Sequence, residues 1–172
     1  SGTTARKVYR TKLGTGVPTA PTAAPTVGAI IPGSISEGSR YWAYSFVTSG
    51  GLESALSPVA AVVDPGASFF ATLTTLQIGG VGVVSRNIYR SLDAVTFQLV
   101  ATLADNTSTT FTDNVADELL GPVFAMPAVG DGIFFLVGTI ANNVDTTFTD
   151  NVADSALGDE YGNWTVRTAG SG

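Results

Sequence analysis

Two short acidic segments contain the residues of this chain that are best suited to chemistry. Asp113, Asp117 and Glu118 lie close together, and Asp150 and Asp154 repeat the spacing of the two aspartates. Paired carboxylates can act as acid and base in glycoside hydrolysis, and clustered carboxylates can bind calcium. The four aspartates are therefore calcium candidates, and the structural alternative is that they cap turns through side-chain hydrogen bonds.

The residue types present argue against catalysis. The second acidic segment has Ser155 where the first has Glu118, so the duplication keeps the aspartates and drops the glutamate. The chain also has no histidine and no cysteine, which excludes a Ser-His-Asp triad, a thiol nucleophile and the usual zinc sites. We therefore expect no enzymatic activity, no catalytic residues and no cofactor, with calcium as the one ion to consider.

Exposed tryptophans could instead form a platform for sugar rings. Trp42 shares a predicted strand face with Tyr44 and Phe46, and this alternation favours a place in the core. Trp164 follows in a polar C-terminal segment and is the better glycan-binding candidate.

A duplicated block gives the clearest information on domain organisation. Residues 99–121 and 136–158 are identical at 16 of 23 positions, with residue n matching residue n + 37. The first copy follows residues 85–91, SRNIYRS, after seven residues, whereas the matching ARKVYRT occupies residues 5–11 at the start of the chain. Such self-similarity marks a repeated structural unit. It predicts that residues 5–12 pair antiparallel with residues 133–141.

Composition indicates an all-β chain without nucleic-acid or membrane partners. Of the 172 residues, 44% are hydrophobic and only 13% are charged, as suits half-buried strands. The net charge of −6 argues against binding to phosphates, and no apolar run is long enough to span a bilayer. The few basic residues are predicted to form a solvated strand face, at Arg6, Lys7, Arg10 and Lys12, with Arg86 and Arg90 repeating two of these positions.

Alternation with period two predicts most of the strands. It places strands at 41–48, 55–63, 84–91, 97–104 and 109–113, with a bulge near 74–75 and further strands at 146–150 and 163–167. The duplication also predicts that equivalent apolar residues point one way and pack alike in both copies, namely Phe97, Leu99, Leu103 and Phe111 with Phe134, Leu136, Ile140 and Phe148.

Two segments resemble fibronectin type III domains. Residues 41–59, YWAYSFVTSGGLESALSPV, are similar to the last two strands of that family, and residues 86–113 are similar to its middle strands. The order of these strands along the chain is permuted relative to that family, because the last two strands come before the middle ones. Similar permuted versions are found in virion proteins of tailed bacteriophages. The resemblance implies an all-β fibronectin III or Ig-like β-sandwich at residues 17–130. The duplication, whose second copy has its matching first strand at the start of the chain, predicts that this sandwich is inserted into a hairpin of a related, incomplete β-domain made of residues 1–16 and 131–160, with a C-terminal tail at 161–172.

The resemblance also implies a function. It indicates a non-enzymatic structural module of a virion, in a tail, fibre or capsid decoration, that acts by β-sheet-mediated assembly and spacing. The expected partners are other virion subunits, including copies of itself, joined by strand addition, with a host-surface glycan as a further candidate. Strands missing from the incomplete domain would come from a longer parent chain or from a neighbouring subunit. The alternative is an adhesin on the bacterial cell surface or an accessory carbohydrate-binding domain.

Overall fold

The fold is all-β, and the described residues form three antiparallel sheets. The computed structural model describes residues 4–126, 132–158 and 160–163, and for residues 11–15, 132–133 and 160–163 it describes the backbone alone. The strands are β1 Arg6–Gly16, β2 Thr26–Ile35, β3 Arg40–Thr48, β4 Ala60–Val62, β5 Phe69–Thr74, β6 Val83–Ser91, β7 Gln98–Leu103, β8 Phe111–Asp113, β9 Gly132–Ile140 and β10 Glu160–Asn163. Their orders are β1-β9-β10, β2-β5-β8 and β4-β3-β6-β7.

The β2-β5-β8 and β4-β3-β6-β7 sheets enclose a common core, as in a β-sandwich. Their inward side chains form one buried cluster: Ile35, Trp42, Tyr44, Phe46, Phe69, Ala71, Leu73, Leu76, Val83 and Ile88. The predicted alternation in β3 is confirmed, since Ala43 lies in a second cluster with Tyr89 and Phe97 on the opposite side of the sheet. The predicted irregularity after β5 is confirmed too, because Thr75 has a φ of 59° and brings Leu76 into the core.

The strand predicted at 55–63 is much shorter than expected. Within residues 55–63, only β4 pairs regularly with β3. Before it, the Ser54 hydroxyl accepts a hydrogen bond from the Phe46 amide at 2.9 Å, and the Ser57 hydroxyl accepts one from the Tyr44 amide at 3.2 Å. Side-chain oxygens thus replace part of the backbone ladder, and Pro58 has no amide hydrogen to contribute.

The prediction that Phe97, Leu99, Leu103 and Phe111 point one way is wrong. Phe97 and Leu99 pack against the outer cluster, whereas Leu103 and Phe111 pack against the main core. For Leu103 the cause is a bulge in the β6–β7 ladder, where the register shifts between Ile88 and Tyr89, whereas Phe111 lies on β8 in the other sheet. An extra residue on one strand reverses the direction of every side chain beyond it.

The predicted pairing of the N-terminal segment is confirmed. β1 runs antiparallel to β9, with Arg6 opposite Ile140 and Tyr9 opposite Leu136. The β6–β7 pair has the equivalent register, in which Arg86 faces Leu103 and Tyr89 faces Leu99. Both ladders shift register at the same point, immediately before the tyrosine. The duplication in sequence is therefore a duplication in structure.

Of two other strand predictions, one is wrong and the other falls largely outside the described residues. Residues 146–150 form no strand, although the equivalent β8 pairs with β5. Among the described residues no counterpart of β5 lies beside them, so this segment lacks the ladder that would make it a strand. Of the strand predicted at 163–167, only Asn163 is described, as the last residue of β10, which pairs with β9; residues 164–167 lie outside the described residues.

The described segments contain two 3-10 turns, at Asp117–Leu119 and Asp154–Ala156, and no α-helix. Over the same part of the chain, no helix is long and apolar enough to cross a membrane.

Candidate functional site: paired arginine–aspartate clusters

The aspartates singled out by the sequence are bound by arginine. In the first repeat, defined as β6, β7 and residues 104–121, Arg90 Nη1 lies 2.6 Å from Asp113 Oδ2 and Arg90 Nη2 lies 3.0 Å from Asp117 Oδ1. Arg90 Nη2 also donates to the Val115 carbonyl at 2.8 Å. Arg90 and Asp113 are fully buried. We call Arg90, Asp113 and Asp117 the Arg90 cluster.

Residues of β3 complete the Arg90 cluster. The Trp42 indole donates to Asp113 Oδ2 at 2.9 Å, and Arg40 Nη2 donates to Asp117 Oδ2 at 2.7 Å. Burial alone would disfavour the ionised form of Asp117. The hydrogen bond from Arg40 and the charge of Arg90 outweigh that effect and hold the pKa of Asp117 below its ordinary value. The carboxylates are thus neutralised and tied to two strands.

The second repeat, defined as β1, β9 and residues 141–158, contains the same arrangement. Arg10 corresponds to Arg90, and its Nε forms an ion pair with Asp150 Oδ2 at 2.6 Å. Arg10 also donates to Asp154 and to the Val152 carbonyl, and the hydrogen bond to Asp154 raises the pKa of Arg10. We call Arg10, Asp150 and Asp154 the Arg10 cluster. It joins residues about 140 positions apart in the chain.

The predicted solvated face of basic residues is wrong for most of its members. Arg86 and Arg90 are fully buried, and Arg6 and Arg10 are half-buried with carbonyl or carboxylate partners in the second repeat. Lys7 is exposed as expected, and Lys12 lies among the residues whose side chains are not described. The sequence contained a signal for these ion pairs that the prediction of a solvated face missed: both copies keep the two arginines together with the two aspartates.

The geometry leaves the aspartates little capacity for other chemistry. Glu118 is exposed and stands outside the Arg90 cluster. Among the residues that the structure describes, no group of three or more acidic side chains is arranged to hold a metal ion. A guanidinium already occupies the position that a cation would take between each pair of aspartates. The arrangement therefore acts as a cross-link between a strand and the loop that follows β8 or its equivalent.

Calcium is accordingly expected to leave the thermal unfolding midpoint unchanged. Binding of an ion to the folded state alone would raise the midpoint with concentration, but calcium would have to displace Arg90 or Arg10 from its aspartates. The measurement is a calcium titration to millimolar concentration during thermal unfolding, with magnesium as the control. A rise specific to calcium would contradict this assignment.

A second duplicated feature caps the loop after β7 and after β9. Asp105 Oδ1 accepts hydrogen bonds from the amides of Thr107 and Ser108, at 2.7 and 2.6 Å. The equivalent Asn142 Oδ1 accepts from the amides of Val144 and Asp145, both at 2.8 Å. The amides of Ser108 and Thr107 hold the pKa of Asp105 well below its ordinary value. The turn itself requires no charge, since asparagine forms it in the second repeat, although the Asp105 carboxylate also lies 3.3 Å from Nη2 of the buried Arg86.

Asp105→Asn is expected to make the free energy of unfolding decline less steeply as the pH is lowered. A carboxyl with a lower pKa in the folded state stabilises the fold above its unfolded pKa of about 3.9, and loses that contribution as the pH falls toward the folded value. Asparagine keeps the turn and does not titrate. Urea unfolding between pH 7 and pH 2 should show a smaller decline for the variant than for the parent. Asn142→Asp is the mirror control and should steepen the decline; parallel curves for all three proteins would refute the idea.

A third polar cluster lies on the outer side of the β4-β3-β6-β7 sheet. Glu53 Oε1 accepts from the Tyr89 hydroxyl at 2.7 Å and from Asn87 Nδ2 at 3.0 Å, and it also accepts from the Ser45 hydroxyl. Burial, together with the hydrogen bond to Glu53, raises the pKa of Tyr89. These contacts fasten the 49–57 turn to β3 and β6. No pattern in the sequence predicts these contacts, because they join residues from three separate segments.

Of the two tryptophans considered for glycan binding, the structure describes one, Trp42. Trp42 is fully buried, packs edge-on against Phe69 with ring centroids 6.4 Å apart, and is part of the core as expected. Trp164 lies outside the described residues.

No protein-family model matches this chain, and no curated protein shows significant similarity to it.

Proposed function

We propose that the chain is a non-enzymatic structural module of a tailed-bacteriophage virion, in a tail, fibre or capsid decoration. It acts as a spacer whose sheets assemble with those of neighbouring subunits. The observation that carries the structural role is the duplication of the arginine–aspartate cluster. In both repeats, the carboxylates that could perform chemistry are neutralised by an arginine, Arg90 of β6 or Arg10 of β1. Placement in a phage particle draws on the fibronectin III resemblance.

We further propose a domain organisation for this module. A fibronectin III or Ig-like sandwich at residues 17–130 is inserted into a hairpin of a related domain made of residues 1–16 and 131–160. The matched registers of β1–β9 and β6–β7 support this organisation, because β1 then stands to β9 as β6 stands to β7. The insertion site corresponds to the hairpin tip at residues 92–96. Exposed tips of this kind tolerate insertions well.

Immunogold labelling tests the assignment to a virion. Antibodies against residues 17–130 are applied to lysed, phage-producing cultures of the source organism and viewed by electron microscopy, with pre-immune serum as the control. Label on heads, tails or fibres is the expected result and identifies the part of the particle. Label confined to cell envelopes, with particles bare, would overturn the proposal in favour of an adhesin or glycan-binding role.

A further inference from the structure

The two repeats differ in what covers them. In the first repeat, β3 pairs with the edge of β6 opposite β7, and β5 pairs with β8. In the second repeat, no strand within the described residues pairs with the edge of β1 opposite β9, and residues 147–150 join no sheet. The second repeat thus presents one open sheet edge and one open loop segment, which we call its open face.

Side-chain exposure reports the same difference. Arg90 and Asp113 are fully buried, whereas the side chains of Arg10 and Asp150 are 31% and 32% exposed. Phe111 packs against the main core, whereas its counterpart Phe148 is 39% exposed. The ion pair is partly exposed and the aromatic ring is exposed, although the equivalent positions of the first repeat are covered. Both features indicate a surface that another polypeptide segment covers.

The first repeat shows what kind of segment fits the open face. There β3 places Tyr44 opposite Ile88 and brings the Trp42 indole to Asp113. Val8 corresponds to Ile88, and Asp150 corresponds to Asp113. A covering strand would therefore run antiparallel to β1, with an aromatic residue opposite Val8 and a hydrogen-bond donor reaching Asp150.

We propose that the open face binds a polypeptide segment whose strands are arranged like those of residues 26–74. This segment lies on the N-terminal side of β1, as residues 26–74 lie on the N-terminal side of β6. Its β3-like strand pairs with β1, and its β5-like strand pairs with residues 147–150. Main-chain hydrogen bonds supply the affinity, and the aromatic face supplies the specificity. This inference rests on the proposed role in β-sheet-mediated assembly. It is tested on purified protein, so its failure is distinct from bare particles in the labelling experiment.

The test supplies such a segment from the chain itself. A second copy of residues 17–82 is fused directly ahead of Thr3, because residue 83 corresponds to residue 3. We expect amide exchange in β1 and in residues 147–150 to slow by about tenfold or more, as in newly paired strands. The matched control is the same fusion with Trp42→Ala and Phe69→Ala in the added copy only. Unchanged exchange in a folded fusion would overturn the proposal.

A second readout measures how much the Arg10 cluster contributes to stability. In the parent chain Arg10→Met is expected to leave the urea midpoint almost unchanged, because the cluster is partly exposed. In the fusion the cluster becomes buried, so the same substitution should lower the midpoint of the transition that includes β1, to an extent comparable with Arg90→Met. A fusion in which Arg10→Met stays without effect would contradict the proposal.

Disulfide trapping keeps the test decisive if the fusion folds poorly. The chain has no cysteine of its own, so only introduced thiols can pair. Ser45 faces Asn87 across the β3–β6 ladder, and Lys7 corresponds to Asn87. Ser45→Cys in the added copy together with Lys7→Cys should therefore form a disulfide on mild oxidation. Ala43→Cys with Lys7→Cys is the out-of-register control. Equal yields in the two pairs would refute the predicted register, and a dimer of the parent chain with protected β1 amides would assign the face to a second copy instead.

Discussion

Replacing Arg90 with methionine is expected to lower the free energy of unfolding by about 3–5 kcal/mol. Arg90 and Asp113 are both fully buried, and their 2.6 Å contact is the main compensation for removing Asp113 from water. Methionine fills much of the same volume but supplies no charge and no donor. The variant leaves a buried carboxylate with the Trp42 indole and the Val115 amide as its remaining partners.

The second repeat provides the matched control for Arg90→Met. Arg10→Met removes the same guanidinium from the same pair of aspartates, but water screens Asp150 and Asp154, and surface ion pairs contribute little to stability. Urea unfolding at pH 7, with midpoint and slope fitted for both variants, makes the comparison. If the two substitutions shifted the midpoint equally, burial would not be what gives the Arg90 cluster its importance.

The sequence carried enough information for the pairing of β1 with β9. The duplicated block showed that residues 136–158 need a partner like residues 85–91, and residues 5–11 were the matching segment available in the chain. Alternation placed β3 correctly for a different reason, since its aromatic residues occupy one face and its small residues the other. Both inferences use information that lies within one strand or within one repeat.

The remaining features depend on contacts between distant segments, which one sequence does not reveal. The bulge before Tyr89 reverses the direction of Leu103, and nothing in the alternation of β7 marks it. Ser54 and Ser57 shorten the strand predicted at 55–63 because their hydroxyls reach backbone amides of β3. Arg90 was assigned to a solvated face because a charged side chain is usually exposed. Its buried partner Asp113 lies at the end of β8, 23 residues away in the chain.

Trp42→Ala is expected to lower the free energy of unfolding by about 3–5 kcal/mol, the range for a large aromatic side chain removed from a core. The substitution opens a cavity beside Phe69 and also removes the indole donor from Asp113. Trp42→Phe separates the two effects, because it keeps most of the packing and leaves Asp113 without that donor, at a cost of about 1–3 kcal/mol. Urea unfolding of the two variants gives both values, and Val63→Ala, at a position that is 82% exposed, is the control. Equal losses in Trp42→Ala and Trp42→Phe would assign the whole effect to the hydrogen bond. A negligible loss in Trp42→Ala would contradict the placement of Trp42 at the centre of the sandwich.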